Sequence, residues 1–154
     1  TTYLNPIFFM YHEDLDLCWR ARLAGYKIII APQAVVYHRY QFNRNKKMFY
    51  LTERNRWACL LQNYSFMTLL KLSPILLLVE FAILVYSLVS GWFGYKLQSY
   101  GWVILHLPGI LKTRFKTQSM RRVGDKEVMK HMDSDLTFPK LINPLLKKYF
   151  QYVR

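Results

Sequence analysis

An acidic cluster near the start of the chain places Glu13, Asp14 and Asp16 between an apolar run at positions 8–10 and a helical pattern. A second apolar run ends in His38, 24 positions (38 − 14) after Asp14. Carboxylates accept protons, and imidazole binds divalent transition metals. Carboxylates at the start of one element and an imidazole at the end of another predict a polar active site. No other part of the sequence offers comparable chemistry.

Each of these side chains also has an ordinary structural explanation. Asp14 beside Glu13 is either a proton acceptor or part of an acidic first turn, and physical chemistry alone favours the second explanation. His38 is either a hydrogen-bonded residue at the rim of a core or a metal ligand whose companions lie outside this chain. Arg54 and Arg56 form either a phosphate clamp or a solvated basic face.

The elements that position these residues follow from the apolar pattern. Glu13 is expected to open a helix that runs to about Ala24, because acidic residues favour an N-terminal turn. Gly25 is expected to end that helix in a left-handed conformation. Apolar and β-branched runs predict strands at 7–10, 27–31 and 34–37. The order strand, helix, strand, strand predicts an α/β fold with part of its sheet missing.

The chain changes character after residue 47. Residues 48–64 carry aromatic and apolar side chains at helical spacing. Residues 69–90 are apolar with only two charges, Lys71 and Glu80, and match the roughly 20 residues that cross a bilayer. Glu80 near the middle of a span is costly unless it is neutral or paired. Residues 102–111 form a second apolar stretch that is too short to span.

The charge distribution favours a membrane surface on the cytoplasmic side. The net charge is +13, with nine Lys or Arg before residue 69 and eleven after residue 111. Short basic flanks prefer the cytoplasm, so we expect both to stay inside, with the apolar middle re-entrant, in-plane or beside a second span. The apolar middle and the lack of a recognisable motif argue against nucleic acid as a partner. Two isolated cysteines fit a reducing compartment.

We therefore expect three regions: 1–66 with the acidic cluster, 67–111 as an apolar membrane-associated helical hairpin, and 112–154 as a basic helical tail. In the tail, Asn143 and Pro144 are expected to start an amphipathic helix. That helix fits either an anionic lipid surface or a protein domain outside this chain. Because the acidic cluster arrives within the first fifteen residues, we expect this chain to be the C-terminal part of a longer protein.

Three segments together resemble glycosyltransferase family 2, and most of all its rhamnosyltransferase-like members, which build bacterial surface polysaccharides. The segments are 9–26, with the core Glu-Asp-x-Asp-Leu-Cys-x-Arg-x-x-x-x-Gly, then 31–38, ending in Tyr-His, and the Arg-Asn-Arg at 54–56. The resemblance is close over about residues 8–64. The apolar middle and the basic stretch 112–132 also resemble the membrane-associated tails of such enzymes.

The resemblance implies a GT-A fold, a nucleotide-binding α/β sandwich, and an inverting, metal-assisted transfer from a nucleotide-sugar donor to a saccharide or lipid-linked acceptor. It implies that Asp14 is the general base and that Glu13 orients the acceptor. It also implies that His38 helps to hold Mg²⁺ or Mn²⁺. Substrate-binding roles fall on Asp16, and on Arg54 and Asn55 near the diphosphate.

The resemblance also predicts what this chain lacks. The nucleotide-binding half, which carries the Asp-x-Asp motif and most metal ligands in such enzymes, is not in this sequence. We therefore expect the acceptor-side part of a transferase of cell-envelope polysaccharide synthesis, inactive by itself, at the cytoplasmic face of the cell membrane. The alternative is a non-catalytic, polybasic membrane-anchoring module.

Overall fold

The computed structural model describes residues 3–37 and 46–132, and these residues form six helices. In chain order the helices are α1 (Glu13–Leu23), α2 (Lys47–Asn63), α3 (Phe66–Val89), α4 (Phe93–Leu105), α5 (Leu107–Ser119) and α6 (Asp125–Met129). Helix α2 lies at the centre, where it packs against α1, α4 and α5, while α3 packs mainly against α4. The tail at 143–153 lies outside the described residues, and the division into three regions stays a prediction.

The helix predicted after the acidic cluster is confirmed. Helix α1 begins at Glu13 with Asp14 and Asp16 in its first turn, where carboxylates favour the positive end of the helix dipole. It ends just before Gly25, whose φ of 87° is the left-handed conformation that glycine adopts without a steric penalty. The helices predicted at 48–64 and 69–90 are also confirmed, as α2 and α3.

The predicted α/β fold is wrong for the described residues, which are 68% helical and include no strand. Positions 7–10, 27–31 and 34–37 are turns, bends or irregular backbone rather than strands. The reason is that a β-branched run becomes a strand only beside a hydrogen-bonding partner, and no described segment pairs with it. Ile29, Ile30 and Val36 are accordingly 85%, 90% and 82% exposed. A GT-A sandwich is therefore not the fold of the described residues.

The C-terminal end of α2 is fixed by side chains from α5 and the turn after it. The last carbonyl groups of a helix have no partner within the helix. Gln118 Nε2 lies 3.1 Å from the carbonyl oxygens of both Gln62 and Asn63, and Arg121 Nη2 donates to Asn63 O at 2.7 Å. These bonds tie α5 to the centre of the molecule and end α2 at Asn63.

Helix α3 is long and apolar enough to cross a membrane, which supports membrane association. Its N-cap is Ser65, whose Oγ accepts a hydrogen bond from Thr68 N at 3.2 Å, and Asp125 Oδ2 accepts from Ser65 N at 2.8 Å. It ends before Gly91, whose φ of 69° turns the chain into α4. The apolar stretch predicted at 102–111 is not one element, because His106 separates α4 from α5.

The hydrophobic core is formed by side chains from α1, α2, α3, α5 and α6 and from the loop before α1. Trp19 of α1 makes an edge-on contact with Tyr64, with ring centroids 4.5 Å apart. The buried apolar side chains of this core are Phe8, Trp19, Leu23, Ala58, Cys59, Tyr64, Leu72, Ile110, Val128 and Met129. Both cysteines are free thiols, and burial raises the pKa of Cys59 to about 12, which makes that thiol unreactive.

Candidate functional site

The loop that leads into α1 has a strained backbone. Phe9, Tyr11 and His12 have φ values of 55°, 68° and 67°, which side chains other than glycine rarely adopt. Each such residue costs on the order of 1–3 kcal/mol and persists only where the surrounding structure enforces it. Three of them within four positions, directly before Glu13 and Asp14, mark this loop as the most constrained backbone among the described residues.

Asn55 of α2 is the side chain that holds this loop. It is completely buried, and its Nδ2 lies 2.9 Å from Phe8 O, 2.7 Å from Met10 O and 2.8 Å from Tyr11 O. One amide group therefore contacts three carbonyl groups of the strained segment. We call this arrangement the Asn55 clamp. The clamp fixes where the loop ends and α1 begins, and so fixes the position of the acidic pair.

A shallow pocket of about 380 Å³ lies at the N-terminus of α1. Its lining residues are Tyr11, His12, Glu13, Asp14, Leu15 and Thr52. Asp14 is exposed in it, and its Oδ1 accepts a hydrogen bond from Leu15 N at 2.7 Å. An exposed carboxylate at the mouth of a pocket is placed to accept a proton from a bound hydroxyl group. The structure thus brings Glu13 and Asp14 together at one pocket.

Two polar atoms beside this pocket have no hydrogen-bond partner among the described residues. They are His12 Nδ1 and Glu13 Oε2, and both are buried. Burial lowers the pKa of His12 below its ordinary value of 6.5, against the opposing effect of the nearby Asp14 charge. His12 is therefore neutral at pH 7. Buried polar atoms without partners are unusual, and these two belong to residues that line the pocket.

Asp16 lies on a different side of α1 and is fully buried. Its Oδ1 accepts from Asn63 Nδ2 at 3.0 Å, and its Oδ2 accepts from Arg20 Nε at 2.7 Å. These contacts join α1 to the end of α2. The substrate-binding role of Asp16 stays a prediction. In this structure both carboxylate oxygens are engaged by protein side chains, Asn63 and Arg20.

Arg54 also lies apart from the acidic pocket. Its guanidinium stacks on Trp102, 4.4 Å from the ring centroid, and its Nε donates to Asn55 Oδ1 at 3.2 Å. The role of Arg54 and Asn55 near a diphosphate stays a prediction. In the structure Asn55 Nδ2 contacts carbonyl groups of the loop, and the Arg54 guanidinium stacks on Trp102.

The predicted metal ligand His38 lies outside the described residues. Within 3–37 and 46–132, no group of three or more His, Cys, Asp or Glu side chains is arranged to hold a metal ion. The predicted Mg²⁺ or Mn²⁺ site remains tied to His38 and to ligands elsewhere.

A buried ion cluster behind this site was not predicted from the sequence. Glu53 and Arg56 of α2, Glu80 of α3, and Lys96 and Tyr100 of α4 contact one another. Lys96 is completely buried and Glu53 is 6% exposed. The one sequence signal was Glu80, a lone acid in an apolar stretch that required a partner. Its partners could not be named because Arg56 and Lys96 lie 24 and 16 positions away (80 − 56 and 96 − 80).

Comparison of the chain with protein-family models, with curated proteins and with solved structures found no match.

Proposed function

We propose that this chain is the acceptor-side part of a membrane-associated, inverting glycosyltransferase that acts in cell-surface polysaccharide synthesis at the cytoplasmic face of the membrane. The observation that carries the proposal is the placement of Asp14. Its exposed carboxylate lies at a pocket in the first turn of α1, directly after a strained loop that the buried Asn55 clamp holds in place. Strain maintained at one loop next to an exposed carboxylate is typical of a site that must keep its geometry.

The reaction assigns one proton transfer to Asp14. Its carboxylate takes the proton of the acceptor hydroxyl as that oxygen forms a bond to the anomeric carbon of the donor sugar. The bond from the anomeric carbon to the nucleoside diphosphate breaks, and the diphosphate leaves with the electron pair. Glu13 accepts a hydrogen bond from a second acceptor hydroxyl and so orients it. A divalent metal ion, when bound, supplies positive charge to the leaving diphosphate.

Sugar transfer by the protein encoded by the full reading frame tests this proposal. The assay follows label moved from a panel of nucleotide sugars to a polyprenyl-diphosphate-linked saccharide. Asp14→Asn is expected to lower kcat by about 10²–10⁴-fold while donor binding stays unchanged, because loss of a general base removes that much rate. Glu127→Gln is the matched control, since Glu127 is also an exposed acid in the first turn of a helix. Unchanged turnover of Asp14→Asn would remove the proposed base.

The second candidate is a non-catalytic, polybasic membrane-anchoring module. It is favoured by the exposed apolar side chains of α3 and by the net charge of +13. This candidate predicts vesicle binding without transfer of any donor sugar, and no effect of Asp14→Asn on any measured property except charge. The transfer assay and a vesicle-binding assay on the same protein therefore separate the two candidates.

A further inference from the structure

Helix α3 exposes one apolar face along its whole length. Most of the exposed positions on this face lie three, four or seven residues from one another, which places them on one side of a helix. They are Met67, Leu70, Leu77, Leu78, Phe81, Val85, Leu88 and Val89, each at least 42% exposed. A continuous apolar face of this length needs cover from a partner or from lipid.

The opposite face of α3 is attached to the protein from one end to the other. Leu72 near its start is 3% exposed, and Ser87 near its end is completely buried. Between them, Glu80 contacts Arg56 of α2 and Lys96 of α4. Helix α3 therefore lies against the other helices along its length rather than projecting away from them.

This attachment decides how α3 can meet a bilayer. If α3 crossed the membrane, Glu80 would lie near the bilayer centre, and it would bring Arg56 and Lys96 to the same depth. Arg56 lies on α2 directly after Asn55, so the Asn55 clamp and the acidic pocket would also be drawn into the membrane. Burying so many charged and polar groups in hydrocarbon is strongly unfavourable. A helix lying parallel to the surface keeps all of them on the aqueous side.

We propose that α3 lies in the plane of an anionic lipid surface, with its exposed apolar face among the acyl chains and its Glu80 face towards the protein. Charge complementarity supports a lipid surface as the occupant. Exposed lysines lie at both ends of the helix, Lys71 in its second turn and Lys46, whose Nζ donates to Gly91 O at 2.9 Å. Phospholipid headgroups attract such residues. The inference rests on the membrane association in the proposed function and is independent of sugar transfer.

Depth measurement along α3 tests the orientation. Single cysteines replace Met67, Leu78 and Val89 in a Cys18→Ser background, in which the unreactive Cys59 can stay. Each is labelled with an environment-sensitive fluorophore and bound to vesicles of phosphatidylglycerol and phosphatidylethanolamine. Quenching by nitroxide lipids is expected to place all three labels at the same shallow depth. A deep label at position 78 with shallow labels at 67 and 89 would show a spanning helix and overturn the proposal.

Charge substitution provides the matched control. Val89 and Val36 are 84% and 82% exposed, and only Val89 lies on α3. Val89→Glu is expected to weaken vesicle partitioning about tenfold or more, because an apolar contact is lost and a charge enters the interface. Val36→Glu changes the net charge equally and is expected to have less than about a twofold effect. Equal losses from both variants would show a non-specific effect and overturn the proposal.

The competing occupant is a second copy of this chain. The Leu78→Cys variant is expected to give no cross-link with a short bifunctional reagent when it is diluted in excess lipid. Cross-linking that persists on dilution would assign the apolar face to a dimer and would overturn lipid as its occupant. A failure of sugar transfer would leave all three measurements unaffected, so this proposal and the proposed catalytic activity fail independently.

Discussion

The Asn55 clamp predicts a local rather than a global effect of Asn55→Ala. The substitution removes the amide that contacts Phe8 O, Met10 O and Tyr11 O. Because an amide group has only two hydrogens, we count two full hydrogen bonds, each worth about 0.5–1.5 kcal/mol net. Phe8 O also accepts from Met10 N, so this buried carbonyl keeps a partner and adds no further cost. The total is about 1–3 kcal/mol.

This free energy should appear as loop opening, because the strained residues relax when the loop is released. The reporter is the amide of Asp16, which donates to His12 O at 2.9 Å in the first turn of α1. A change of about 1–3 kcal/mol corresponds to exchange that is about 5–150-fold faster. The amide of Leu69, which donates to Ser65 O at 3.0 Å in the first turn of α3, is expected to keep its protection.

Native-state hydrogen exchange measures both amides in the same sample. Gln98→Ala is the matched control, because Gln98 is an exposed side-chain amide on α4. Asn55→Asp is expected to accelerate exchange of the Asp16 amide more than Asn55→Ala does. The reason is that a carboxylate cannot donate to the three carbonyl oxygens and repels them. If the Asp16 amide in Asn55→Ala exchanged within about twofold of the unsubstituted chain, the clamp would not hold the loop, and the reasoning would be refuted.

Two further predictions concern buried ionisable groups. Lys96→Met removes the completely buried cation from Glu53 and Glu80. It is expected to lower the free energy of unfolding, measured by urea titration, by about 3–5 kcal/mol. The control Lys126→Met, at an exposed site, should change the free energy of unfolding by less than about 0.5 kcal/mol. A loss below about 1 kcal/mol at Lys96 would contradict the buried cluster. Burial lowers the pKa of His12 in the folded chain. The unfolded chain therefore takes up a proton near pH 6.5, whereas the folded chain does so only at lower pH. The stability that this group contributes is present above pH 6.5 and is lost as the pH falls towards the folded pKa. Urea midpoints between about pH 7.5 and about pH 5.5 should thus fall less in His12→Asn than in the unsubstituted chain, and an equal fall would refute the burial of His12.

Local signals in the sequence predicted α1, α2 and α3 well, whereas the bounds of α4, α5 and α6 were not predicted. An acidic first turn and a following glycine define α1, and unbroken apolar composition defines α3, because both signals act within a few turns of the chain. The predicted strands were wrong, since a β-branched run such as 27–31 forms a strand only beside a partner from elsewhere, and the described residues contain none. The division of 102–111 at His106 was missed because composition does not show where two helices meet.

The candidate site was predictable only in part. Glu13 and Asp14 are adjacent in sequence, and their common pocket follows from their position at a helix start. The Asn55 clamp joins residues 44 to 47 positions apart through backbone carbonyls, which leave no trace in side-chain chemistry. The same holds for Glu80, where the sequence showed the need for a counter-charge but not its source.

The clamp and the ion cluster have their anchors on consecutive residues of α2. Asn55 grips the loop beside the acidic pair, and Arg56 grips the helix that faces lipid. Consecutive residues of an α-helix point about 100° apart, so the geometry of α2 fixes the angle between the Asn55 clamp and the ion cluster. Inserting a single alanine between them would rotate one grip against the other by that angle. The acidic pair and the apolar face therefore keep a fixed orientation relative to each other, because both are attached to the same helix.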